Sequence, residues 1–354
     1  TEQDYNTAFP AGADKMVWYK DAGEVAMHSA PEDVEKDLAL SFRSSTFGSG
    51  SHTTASQNAF NLLYKGVDVY RSTGYYQNFS DAHNLMSYRH TRAHNSLLVN
   101  GIGQPYSTEG YGSVMRAMGG QHISYCLGDA SHAYRSISND PMWVDYFKQA
   151  GIEQTPENGF GATPLTKYRR HVLMLHPHTV IVYDELEASE AVRWEWLLHS
   201  PTEFKIDAVK KTLSTDNKTK GWVAVTQLFG GHVFTLSQTD RFVVPPAITG
   251  AEYPNQWHLT ARVDGCSATR FLAIIQVGDE AVSIVNRDGD TFNVGDWTIK
   301  AVLDASKAPE LTVSHRTEQA VFSYGTDNPA LNGNFYSRQY TGSSLLYDEI
   351  DGAY

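Results

Sequence analysis

Residues His171–Leu186 read HVLMLHPHTVIVYDEL, two apolar arms around a His-Pro-His-Thr turn. Each arm is an almost unbroken run of Val, Leu, Ile and Met rather than an alternation of apolar and polar residues. That is the pattern of a β-hairpin whose strands are buried on both faces. Working outward, similar runs recur as NSLLVNG, HISYCLG, GWVAVTQLFG, HVFTLSQ, TRFLAIIQV and EAVSIVN, bounded by Gly, Pro, Asn and Asp. Short β-rich runs punctuated in this way predict an all-β protein, a large antiparallel β-sandwich. Helical spacing is confined to Pro31–Leu40, PEDVEKDLAL, which reads as a short helix or as a turn leading into LALSFRSS. The expected organisation is a linker over residues 1–40, the sandwich over 41–327 and an irregular tail over 328–354. A weak division near Ser200-Pro201 does not break the sandwich into separate units, and Gln149–Thr166 reads as a long polar loop.

At 354 residues the chain is longer than most single domains, though large sandwiches reach this size. A net charge of −12 argues against general affinity for nucleic acid or anionic membranes. No run of eighteen apolar residues occurs, so no membrane-spanning helix is expected. The first residue is Thr1, which points to a removed leader or a larger upstream segment. Cys126 and Cys266 have no metal-type spacing and could form one bridge or remain two thiols. Twenty tyrosines suit a large sheet core and platforms for sugar rings.

The unusual stretch is Phe42–Phe60, FRSSTFGSGSHTTASQNAF. A hairpin loop accounts for its glycines, but not for His52 followed so closely by Gln57 and Asn58 and then by the strand AFNLLYKGVDVY. His52, His83, His90 and His94 lie close together in sequence, and Tyr88–Asn95, YRHTRAHN, holds two Arg and two His with no acid. Between Phe42 and Gly101 five bases face two acids, a local +3 in an acidic chain. Such a patch suits a small anionic ligand. Taken singly, each histidine reads equally as a residue bonded to a backbone carbonyl.

FRSSTFGSGSHTTASQNAF, VYRSTGYYQNFSDAH, YRHTRAHNSLLVNGIGQ, YRRHVLMLHPHTVIVYDELEA, NQWHLTARVDG and TRFLAIIQV occur in that order. Over roughly residues 16–305 they resemble the β-sandwich part of the heparinase II/III-like polysaccharide lyases, a group that includes exo-acting alginate lyases and heparin or heparan lyases. The resemblance implies cleavage of uronic-acid-containing polysaccharide by β-elimination. That chemistry neutralises the uronate carboxylate, removes the C5 proton and protonates the leaving O4. By position in the motifs, His52 is implied as catalytic base or carboxylate contact, and Tyr88 as a proton-transfer group. Tyr76 is implied as a stacking residue, and Gln57, Asn58, Arg92, His94 and Asn95 as substrate contacts or loop-shaping groups. A core role is open for both tyrosines.

The sequence departs from the family in two ways. The family's His-x-His-x-Asp reads His52-Thr53-Thr54-Ala55-Ser56 here, and an Asp of the second motif reads Ser72. Members that hold zinc use these positions and a later His, of which His94 alone remains. No zinc and no other cofactor is therefore expected. The family also carries an N-terminal α/α toroid, which this chain is expected to lack and to need as a partner domain or chain. A toroid would complete the active cleft, with an anionic uronate polymer as substrate, alginate and heparan sulfate among the choices. A secreted or periplasmic location follows from a polymer substrate. The alternative is a non-catalytic carbohydrate-binding or structural sandwich. A hydrolase working through Asp184 and Glu185 is disfavoured, since neighbouring strand residues point to opposite faces.

Overall fold

The computed structural model describes residues 13–247, 252–279, 282–283, 285–325, 330–331, 334–335 and 342–348. Its strands form three large antiparallel sheets and one small pair. The first sheet has the order β1-β2-β3-β4-β5, built from Met16–Tyr19, Glu24–His28, Leu38–Arg43, Ala59–Tyr64 and Val67–Tyr70. The central sheet has ten strands. They are β6 (Leu97–Val99), β7 (Ser113–Gly119), β8 (Ile123–Asp129), β9 (Leu165–Leu175), β10 (Thr179–Ser200), β11 (Lys205–Asp207), β12 (Thr212–Asn217), β13 (Trp222–Gly230), β14 (Thr235–Thr239) and β15 (Trp257–Gly278). The third sheet holds β16 (Asn286–Asp288), β17 (Thr291–Val294), β18 (Trp297–Ala301), β19 (Leu311–His315) and β20 (Ala320–Gly325). Ala330–Leu331 and Asn334–Phe335 pair as β21 and β22, and β23 (Ser343–Asp348) completes the third sheet beside β20.

The central sheet is covered on both faces, which is why the hairpin β9–β10 is apolar on both sides of its turn, over residues 172–175 and 180–183. Val172, Met174, Val180 and Val182 pack with Phe42, Leu40 and Leu62 of the first sheet. Their neighbours Leu173, Leu175, Ile181 and Tyr183 pack with Phe292, Ile299 and Phe322 of the third. Period-two side-chain alternation thus feeds two cores from one strand. Each fully buried aliphatic side chain here contributes on the order of 1.5–3 kcal/mol. The same alternation separates Asp184 from Glu185. Asp184 accepts from Arg170 in the first layer, and Glu185 accepts from His171 and from the Tyr324 hydroxyl in the second.

Several expectations are corrected. Residues 16–40 are not a linker: they supply β1, β2 and the start of β3, because Val25, Met27, Leu38 and Leu40 point into the first core. Of the two readings of Pro31–Leu40, the structure adopts the turn leading into a strand. Asp37 ties that turn down, accepting from the backbone N–H of Ser29 and Ala30 and from His28 Nδ1 at 2.6 Å. The tail is not wholly irregular, since β23 pairs along β20 and Asp348 accepts from the backbone N–H groups of His122 and Ile123. Residues 1–12 and most of 326–354 lie outside the described residues. No sheet boundary falls at Ser200-Pro201, where β10 ends and the central sheet continues. Cys126 and Cys266 are both free thiols.

Sequence reading also misses the helix α1, Pro141–Gln149. Its signals are present: Asp140 caps by accepting from Met142 N–H, Pro141 opens it, and Trp143 and Phe147 bury one face at i,i+4. This helix presses Trp143 and Phe147 into a small satellite core with Leu85, Met86, Tyr106 and Phe160. Ala55, in the loop between β3 and β4, belongs to the same core, and Phe79 packs against it.

Candidate functional site

The loop between β3 and β4 presents His52. Gly48 has φ 63°, and a Cβ there would sit 2.3 Å from the Ser107 carbonyl oxygen, so only glycine fits the turn. Ser51 is also left-handed, at φ 52°. Ser49 Oγ donates to the Pro105 carbonyl at 2.6 Å, and Thr53 N–H donates back to Gly50 O at 3.1 Å. The loop returns through Gln57 and Asn58, both fully buried. Gln57 Oε1 accepts from Ser45 N–H at 2.6 Å and its Nε2 donates to Gly48 O at 3.0 Å. Asn58, at φ 57°, donates through Nδ2 to the carbonyls of Gly128 and Tyr168. Both amides spend their donors on the protein's own backbone, and they brace the loop that carries His52.

His52 itself is exposed and makes no hydrogen bond among the described residues. Its ring lies 4.8 Å from Phe79 and 5.9 Å from Tyr76, centroid to centroid. Tyr76, 45% exposed, is 6.1 Å from Tyr88, and Phe79 stacks on Tyr146 of α1 at 5.8 Å. The structure therefore brings His52, Tyr76 and Tyr88 into one aromatic rim, with Phe79 as its floor. Beneath the floor lies Arg89, fully buried, with its guanidinium 4.2 Å from the Trp143 ring centroid and 5.6 Å from that of Phe79. Arg89 Nη1 donates to the Thr53 carbonyl, next to His52, while its Nε and Nη2 have no partner. No carboxylate pairs with it among the described residues. Burial lowers its pKa from the usual guanidinium range, partly offset by Tyr106, Tyr88 and Tyr76. Sequence reading did not single out Arg89, Phe79 or Trp143; only the tertiary fold stacks them.

The remaining predicted residues stand apart from the rim surface. Arg92 donates through Nη2 to Asn158 O at 2.6 Å and through Nε to His90 Nδ1 at 3.1 Å. Asn95 is fully buried, donating to Phe60 O and accepting from the His199 backbone N–H at 2.7 Å. His83 and His90 are structural: each donates to a backbone carbonyl, Val244 O at 2.6 Å and Gly159 O at 2.9 Å, and accepts a backbone N–H through its other nitrogen. The locally basic patch of the sequence is dispersed. Lys65 pairs with Asp279, Arg71 with Asp68 and Arg43 with Glu24.

The positions that correspond to a zinc site converge but do not suit the metal. Thr54, Ser56, Ser72 and Arg43 line one cavity of about 260 Å³. Thr54 Oγ1 and Ser56 Oγ bond each other at 2.9 Å, and Ser72 Oγ is 2.8 Å from His94 Nδ1. Burial holds the His94 imidazole neutral, its pKa lowered to about 4. One imidazole, neutral hydroxyls and an adjacent guanidinium are a poor donor set for Zn²⁺, which takes three or four N, S or carboxylate ligands. Among the described residues, no three of His, Cys, Asp and Glu cluster as a metal site.

A family model described as "Heparinase II/III-like, C-terminal" matches residues 12–260. A search of curated proteins returns no match. Among solved structures, a lysine-methylated heparinase III matches with a TM-score of 0.60 at 12% identity, over 90% of this chain and 42% of that one. Heparinase III in another crystal structure gives 0.59 at 14%, over 95% and 43%. Heparan sulfate lyase HepC from Pedobacter heparinus gives 0.57 at 14%, over 85% and 41%. At these identities the likeness is one of fold, and the chain spans less than half of each of these proteins.

Proposed function

The chain belongs to the heparinase II/III-like C-terminal family, and on that footing we propose that it forms the sandwich side of a polysaccharide lyase site. The substrate is a uronic-acid-containing polymer and the reaction is β-elimination. The C5–H bond breaks to a base, the C4–O4 bond breaks as the C4=C5 double bond forms, and the leaving O4 takes a proton. The observation that carries this reading is the rim: an exposed histidine beside two tyrosines, its ring nitrogens unbonded among the described residues, above a buried arginine that no carboxylate among them neutralises.

In this proposal His52 meets the uronate as base or carboxylate contact, and Tyr88 exchanges a proton at C5 or O4. Tyr76 stacks on a sugar ring. The Arg89 charge, undiluted by water, gives the rim a positive potential suited to an anionic sugar. Gln57, Asn58 and Asn95 hold the loops rather than the sugar, Arg92 fixes the neighbouring turn, and His94 positions Ser72. No step requires a metal. An α/α toroid, in the same protein or in a partner chain, supplies the opposite wall and the remaining catalytic groups. A polymer substrate places the protein outside the cytoplasm, secreted or periplasmic.

The test is the ultraviolet absorbance of the unsaturated uronate product on alginate, heparan sulfate and related polymers. It is run with this chain alone and with upstream coding sequence included. Product formation that disappears in His52→Ala, with the fold intact, supports the proposal. The second reading, a carbohydrate-binding sandwich, is favoured by the misfit of the zinc positions. Sugar binding with no product in either protein would select it and sink the lyase.

A further inference from the structure

A second cavity, of about 540 Å³, lies behind the rim among β6, β10, β15 and the loop after β14. That is the size of a small-molecule site. We propose that it binds a single acidic sugar unit, through cations that hold its carboxylate or sulfate and through neutral groups that read its hydroxyls. The choice of an acidic sugar rests on the lyase reading; the existence of an anion site does not.

Charge is the first observation. In a chain of net charge −12, three arginines line this cavity, Arg92, Arg193 and Arg241, against the single carboxylate of Glu157. Arg193 is compensated from behind by Glu195, with Nε to Oε2 at 3.2 Å. Arg92 commits Nε and Nη2 to His90 and Asn158 and makes no bond through Nη1 among the described residues. The Arg241 guanidinium has no partner among them at all, although its backbone N–H is held by Thr239 Oγ1 at 3.1 Å. An anion entering here meets uncommitted donors.

The second observation is an unpartnered buried acceptor. His199 and His258 face each other across the β10–β15 register, ring centroids 5.1 Å apart. Thr73 Oγ1 donates to Ala93 O at 3.2 Å and lies 3.4 Å from His258 Nδ1, and we assign the ring proton to Nδ1, which donates back to that hydroxyl. That leaves His258 Nε2, buried and without a partner, as a bare lone pair. Burial keeps the ring neutral, its pKa lowered to about 4 despite the opposing influence of Asp240. A neutral imidazole acceptor recognises an O–H donor, which a sugar has and an inorganic anion or simple carboxylate lacks. Thr260 adds a hydroxyl, and Phe242, 5.3 Å from the His258 ring, adds an apolar face.

The helical turn Asn84–Tyr88 contributes to both sites: Ser87 lines this cavity, and the next residue, Tyr88, meets Tyr76 in the rim. Ser87 Oγ also bonds the backbone N–H and carbonyl of Val244, tying the Arg241 loop to that turn.

The test is a titration of histidine-labelled protein followed by NMR, with the His258 and His52 rings as separate reporters. Glucuronate, inorganic sulfate and glucose are the probes. The expected result is a saturable glucuronate shift at His258, absent with glucose and weakened at least about fivefold by Arg241→Ala, an exposed position whose loss leaves the fold intact. Competition by sulfate would mark the anion pocket as open to sulfate esters; none would restrict it to carboxylates, and both results uphold the site. Equal shifts with glucose, insensitivity to Arg241→Ala, or no response at His258 would overturn the proposal. Product formation is not read here, so failure of the lyase reading and failure of this site remain separate results.

Discussion

The rim at His52 and the interior beneath it treat polar groups in opposite ways. In the interior, Arg170 is fully buried and bonded at every turn. It forms a bidentate pair with Asp184, both contacts at 2.8 Å, and donates through Nη1 to the carbonyls of Asn58 and Asn95. Asp184 also accepts from Trp196 Nε1 at 2.8 Å. One ion pair thereby holds the start of β4 and the end of the Tyr88–Asn95 segment, the two ends of the site's scaffolding. At the rim, His52 makes no hydrogen bond among the described residues, and Arg89 beneath it leaves Nε and Nη2 unmatched. The difference teaches how this protein distributes its polar groups: satisfied charges fix the loops, and unmatched donors lie at the rim and just under it.

The sharpest way to break this contrast is Arg170→Met, which strands Asp184 as a buried uncompensated charge. We expect a loss of about 3–5 kcal/mol in urea unfolding, with much of it recovered in the Arg170→Met/Asp184→Leu double variant. A single-variant loss below about 1 kcal/mol would mean the pair does not organise the interior. Acid should come next. Burial lowers the folded pKa of His94 and of His258 to about 4, below their usual value near 6.5. The unfolded chain therefore takes up protons first, and stability is full above about 6.5 and falls as pH drops toward 4. Glu185 extends the decline. Burial raises its pKa, but the bonds from His171 and Tyr324 outweigh that and hold it at about 2, so its contribution is lost as pH falls from about 4.5 toward 2. A flat unfolding free energy between pH 4 and 6.5 would contradict the buried neutral histidines.

Gly48→Ala probes the loop itself. A Cβ there meets backbone at 2.3 and 2.7 Å in a left-handed turn, so a cost of about 1–3 kcal/mol is expected from chemical denaturation. His52→Ala should have the smallest effect on stability, within about 0.5 kcal/mol, because the ring is exposed and unbonded. Wherever the proposed lyase activity is detected, the same change should lower turnover by at least about a hundredfold. A stability loss like that of Gly48→Ala would recast His52 as a structural residue.

The loop that presents His52 was legible because its signals are local. The Gly-Ser run before His52 announced a tight turn, and the left-handed Gly48 and Ser51 make it. The order of motifs marked the family, which the match over residues 12–260 bears out. The charge count was misleading, because Lys65, Arg71 and Arg43 are near one another in sequence but each finds its own carboxylate in space. Arg89 showed only as one base of an acid-free stretch, and the His199–His258 pair left no local trace. The first owes its place to a helix some fifty residues downstream, and the second to the register of two long strands.

By itself, the sequence determined that the chain is an all-β sandwich with doubly buried strands, since hydrophobic alternation and its absence are written residue by residue. Whether two cores or one would form, which histidines face water, and which arginines stay unpaired were decided only by tertiary structure. Those properties depend on neighbours brought together across sheets, and burial and pairing have no meaning until that packing exists.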